Sequence, residues 1–145
     1  MPTTLGRAFP GDWAGYPPHM SAPDFRIWTR FRKAYPALAT QYYFDVGLGL
    51  GAPLDEPPPP PINTMWQRIT SLRADAVADT GEDWILIELR DNASTGALGA
   101  VLTYAALWKK EPPDARPMRS WLVTNRIHPD LPAIFASYDV HLVVA

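Results

Sequence analysis

Residues 73–108 read RADAVADTGEDWILIELRDNASTGALGAVLTYAALW, and their patterning decides the fold. Arg73–Ala78 and Trp84–Arg90 are short apolar runs separated by the polar stretch Asp79–Asp83, which contains Gly81. That is the signature of strand, turn and strand. A hairpin centred between Gly81 and Glu82 sets Asp75 opposite Glu88, and opposed residues hold their Cβ atoms roughly 4.5–5.5 Å apart. Two carboxylates at that spacing suit a shared hard cation. Alternation puts Trp84, Leu86, Glu88 and Arg90 on one face, with Ile85, Ile87 and Leu89 on the other. Ala74, Ala76 and Ala78 share the face opposite Arg73, Asp75 and Val77. Three small side chains there predict a closely packed helix, expected to be Ser94–Lys110.

Further out, elements alternate. Pro23–Tyr35 is a helix with Ile27, Trp28, Phe31 and Tyr35 as its apolar stripe, ended by Pro36. Gln41–Leu48 alternates as a strand, and its Asp45 suits either a turn or a place near the acid pair. Gly51–Pro61 holds five consecutive prolines and predicts a stiff polyproline crossing loop. Ile62–Leu72 is expected to be a short helix. After the helix at Ser94–Lys110 come a loop at Glu111–Pro117, a strand at Met118–Thr124, a helix at His128–Tyr138 and a strand at Val140–Val144. This order predicts an α/β domain over 23–145, with a mixed β-sheet and flanking helices. Met1–Ala22 interleaves prolines and glycines with Phe9, Trp13 and Tyr16. It predicts an extended arm whose rings anchor on a neighbouring subunit.

Composition excludes several function classes. The chain's 145 residues suit one core, and 19% charged residues against 47% hydrophobic argue against disorder. A net charge of −2 gives no global pull toward nucleic acid, so DNA contact would need a local basic patch such as Arg26, Arg30 and Lys33 on the first helix. With no cysteine, thiolate metal sites and cysteine nucleophiles are excluded. His19, His128 and His141 are too scattered for a metal triad, and no glycine-rich phosphate loop occurs. No apolar run approaches a membrane span, and no secretory leader is legible at the start.

An aspartate on one strand, a Glu-x-basic tripeptide on the next and a following amphipathic helix resemble the core of the PD-(D/E)XK nuclease superfamily. The resemblance implies a restriction-endonuclease-like core in which Asp75 and Glu88 hold magnesium, with the Leu89 carbonyl as a third ligand. The superfamily's lysine, two places after the glutamate, helps to activate water; here that place is Arg90. Its helix often reads A-L-G-Q-L-L-x-Y, whereas Ala97–Tyr104 reads ALGAVLTY, with Ala100 in place of the glutamine. Arginine stays protonated and cannot take a proton from water, although it binds phosphate well. Asp75, Glu88 and Arg90 are therefore a weak or vestigial catalytic set, or a plain ion-pair network. The segments PDFRIWTRFRKAYP (23–36) and YYFDVGLG (42–49) resemble small proteins of tailed bacteriophages. That likeness implies a non-catalytic virion structural or adaptor protein, needing no cofactor, with other virion subunits as partners, located in the virion or host cytoplasm. The alternative is an active nuclease that uses magnesium on DNA.

Overall fold

The structure, a computed structural model, describes residues 3–49, 59 and 72–145. The polyproline loop, apart from Pro59, and the helix expected at Ile62–Leu72 lie outside those residues, save that Leu72 opens a strand. The elements are β1 (Phe9–Pro10), α1 (Ala22–Ala34), β2 (Gln41–Leu48), β3 (Leu72–Asp79), β4 (Trp84–Ala93), α2 (Thr95–Lys110), β5 (Met118–Ile127), α3 (Leu131–Ser137) and β6 (Val140–Val144). One six-stranded sheet runs β1-β2-β3-β4-β5-β6 in chain order. β1 to β4 are antiparallel neighbours, whereas β4, β5 and β6 are parallel. The helices between the parallel strands are the crossovers such strands need. The result is the expected α/β domain with a mixed sheet and flanking helices, consistent with a restriction-endonuclease-like core.

The hairpin register follows from its turn. Gly81 adopts φ +91, its N–H donates to Asp79 Oδ1 at 2.9 Å, and Asp79 pairs with Trp84. The same register carries Ala76 to Ile87, where the ladder between the strands stops. β4 is buried on both faces from Trp84 to Leu89. Ile85, Ile87 and Leu89 pack with Ile27, Trp28 and Phe31 of α1, while Trp84 and Leu86 pack with Val77 and Trp108 of α2. Phe135 of α3 joins Val101 of α2 and Leu122 in a third cluster. The sheet is therefore sandwiched between α1 on one side and α2 with α3 on the other.

The alanine face is arranged differently from the expectation. Ala76 and Ala78 lie under α1, whose Trp28 and Phe31 fill the space that small side chains leave, and not under α2. Ala74 belongs to the α2 layer. Its partner strand behaves likewise, with Tyr42 and Phe44 in the α1 layer and Val46 and Leu48 in the α2 layer. Strict alternation would keep all four on one side. The strands change sides at Asp45, which has φ +53, a left-handed conformation that aspartate tolerates better than most residues. Asp45 is thus neither a turn residue nor a member of the acid pair; its carbonyl accepts from Arg73 at 2.9 Å.

The N-terminal segment is also placed differently. Phe9 forms an edge strand on Tyr42, is 5% exposed and stacks with Trp13 and Phe44. Arg32 of α1 donates to the carbonyls of Gly11 and Trp13 and so ties the segment down. Phe9 and Trp13 are therefore taken up by this chain's own core, because the groove between β2 and α1 offers them aromatic surface. Tyr16, the third ring, stays 52% exposed against Phe25. Phe9→Ala is expected to cost about 3 kcal/mol, as for other buried phenylalanines, measured by urea unfolding. An unmoved midpoint would mean that the segment is not part of this core.

Candidate functional site

Asp75 sits where β3 changes sides and where its ladder to β4 has just ended. Freed from the ladder, its Oδ2 accepts the Leu89 N–H at 2.8 Å, a bond from side chain to backbone in place of one between backbones. Continuing the register from Ala76–Ile87 sets Asp75 opposite Glu88, close enough for Asp75 to raise the Glu88 carboxyl. The spacing about the turn therefore brings the acids together as the sequence predicts. Glu88 is 5% exposed, on the α2 side of the sheet. Arg90, two residues on and on the same face, donates to Glu88 Oε2 at 3.2 Å while its side chain stays 42% exposed.

Electrostatics follow from that crowding. Burial, then the hydrogen bond and charge of Asp75, push Glu88 up to about 9, against the opposing pull of Arg90. A buried carboxyl held against a second carboxylate resists ionising, so Glu88 keeps its proton. Two further groups stand near the pair. Asp24, in the first turn of α1, is raised by burial and by Asp75, with Arg90 opposing. Tyr104, on α2, is raised by burial, then by Glu88 and Asp75. The sequence marked Asp24 only as a helix-start residue, because its neighbours in the fold lie some fifty residues or more along the chain. Tyr104 was visible as the last letter of ALGAVLTY, yet no periodicity placed it beside Glu88.

The donor set has a definite character. Two carboxylates that hold one proton between them suit a hard cation that keeps several waters, which is how magnesium is usually held. Among the described residues no cluster of three or more His, Cys, Asp or Glu side chains is able to hold a metal ion, so Asp24 stands outside any such set. A cation at Asp75 and Glu88 would replace the shared proton and supply charge neutralisation for a bound phosphate. Arg90 adds a fixed positive charge at the same place.

The basic helical face lies mostly apart. Arg26 and Lys33 are exposed, with no ion pair to either among the described residues. Arg30 reaches Asn125 at 3.4 Å, and Asn125 bonds Asp91 at 3.1 Å, next along the chain from Arg90. Of the three, Arg30 alone is linked to the strand ends that carry the acid pair. No described helix is long and apolar enough to cross a membrane.

The proton on Glu88 makes stability depend on pH. Unfolded, Glu88 loses it near 4.5; folded, it keeps it to about 9. Between those values the folded state holds more protons, so stability falls as pH rises. Below about 4.5 both states are protonated and the contribution is complete. Thermal unfolding across pH 5–9 should show this decline, and Glu88→Gln should flatten it. An unchanged slope in the variant would place the titrating group elsewhere.

No family model matches this sequence, and no curated protein is similar to it. Among solved structures, the chain is similar to the crystal structure of a repair endonuclease from Pyrococcus abyssi, with a TM-score of 0.48 and 12% sequence identity. The match covers 92% of this chain and 49% of that one, so the chain spans about half the length of that endonuclease.

Proposed function

We propose that this protein is a non-catalytic member of the nuclease-like fold that serves as a structural or adaptor subunit of a tailed-phage particle. The observation that carries the non-catalytic reading is Arg90. Its guanidinium lies 3.2 Å from Glu88, at the place where the resembling superfamily has its lysine. Hydrolysis of a phosphodiester needs a group that positions or deprotonates water as well as a metal. Arginine binds phosphate but does not accept that proton, and Tyr104, raised by burial and then by Glu88 and Asp75, is held in its protonated form. Ala100 adds no polar group from the helix. The phage assignment rests on the sequence resemblance of 23–36 and 42–49, and its test is stoichiometric co-purification of the protein with particles.

A second reading, a magnesium-dependent DNA nuclease, is favoured by one observation: the hairpin register sets Asp75 opposite Glu88, where two carboxylates suit a shared hard cation. Incubation with linear and circular DNA and magnesium separates the two readings. The expected result is no cleavage above a no-protein control. Cleavage that disappears in both Asp75→Ala and Glu88→Ala would instead establish the nuclease.

A further inference from the structure

The two edges of the sheet are built differently. β1 is two residues long and carries Pro10, features that blunt an edge against pairing with another strand. β6 has five residues, Val-His-Leu-Val-Val, with no proline, lysine or carboxylate among them. Among the described residues it pairs with β5 alone. The Ala145 N–H donates to the Thr124 carbonyl at 2.8 Å. Alternation therefore turns the backbone groups of Val143 and His141 toward β5, and those of Leu142 and Val144 outward. Val140 also points outward but is only 4% exposed, so the open stretch begins at Leu142. Ile134 of α3, Tyr138 at its end and Val144 of β6 are three of the five large apolar side chains left exposed among the described residues. Leu142 lies on the face that α3 covers, and by alternation so does Val144.

We infer that β6 pairs antiparallel with β6 of a second copy of this chain, about a two-fold axis at Val143. In that register Leu142 meets Val144 of the second copy, and Val144 meets its Leu142. Both are outward-facing, so each pair exchanges two backbone hydrogen bonds, and the open groups of Leu142 and Val144 are satisfied. An isologous contact requires such self-complementarity. His141 would meet Ala145, so no like charges are opposed. Leu142 and Val144 put the new ladder's side chains on the face that α3 covers. The inference is independent of the reading of the acid pair.

Sedimentation of the full chain across a hundredfold concentration range tests the pairing. The expected result is a rise from monomer to twice the monomer mass. Val144→Lys, which puts a charge on the edge whose backbone groups face away from β5, should abolish the rise while leaving the far-ultraviolet circular dichroism, and the melting temperature at dilutions where both chains are monomeric, unchanged. The register has its own test, because the chain contains no cysteine. Val143 would face its own copy as a non-hydrogen-bonded pair with Cα atoms about 4.5 Å apart, within disulfide reach. His141 would stand about 13 Å from its copy, beyond reach. Val143→Cys should therefore form a covalent dimer under mild oxidation, and His141→Cys should not. A chain that stays at monomer mass overturns the inference, whatever other strand the edge accepts. So does a Val144→Lys dimer, or His141→Cys cross-linking as fast as Val143→Cys.

Discussion

The change of sides at Asp45 and Asp75 is the constraint on which the rest depends. β2 and β3 both begin or end in one layer and finish in the other, and β3 lets go of β4 beyond Ala76. A regular hairpin would have continued its backbone ladder through Asp75. Here the aspartate side chain supplies the acceptor for Leu89 instead, at 2.8 Å. This one substitution of side chain for backbone keeps a buried N–H satisfied, and leaving it unmade would cost about 1–3 kcal/mol. It also holds a carboxylate at the middle of the sheet, against Glu88.

From that placement the chemistry of the centre follows. Glu88 is held between hydrophobic layers by β4, so it cannot swing away from Asp75 into water. The pair relieves its repulsion by keeping a proton, and Arg90 from the same strand face partly offsets the remaining charge. Each acid has a partner within the chain: Leu89 for Asp75, and Asp75 and Arg90 for Glu88. The same features that suit a hard cation also satisfy a purely structural network. What bears on the choice between them is residue 90, an arginine, which binds phosphate but does not accept a proton.

Much of this was legible in the sequence, for physical reasons that can be named. The hairpin register could be read because Asp79–Asp83 is a short polar turn with one glycine, and counting outward from it fixes Asp75 against Glu88. The faces of β4 could be read because a strand alternates whatever covers it. The covering helix could not, since three alanines indicate close approach but not which helix approaches; the large rings of Trp28 and Phe31 decided in favour of α1. That Phe9 and Trp13 pack on this chain's own core is not legible, because prolines exclude a helix without excluding a two-residue edge strand. The crossing of layers at Asp45 left no periodic trace, because a single left-handed residue resets the alternation silently.

Asp75 and Glu88 thus form one crowded carboxyl pair that keeps a proton on Glu88. Carbon-13 NMR titration of the Glu88 side-chain carboxyl, with and without magnesium, tests it most directly. Glu88 is expected to titrate far above the ordinary 4.5 in the absence of divalent cations, to come down in Asp75→Asn, and to be lowered by magnesium in the unaltered chain. A Glu88 carboxyl that titrates near 4.5 and ignores both the substitution and the metal would contradict it.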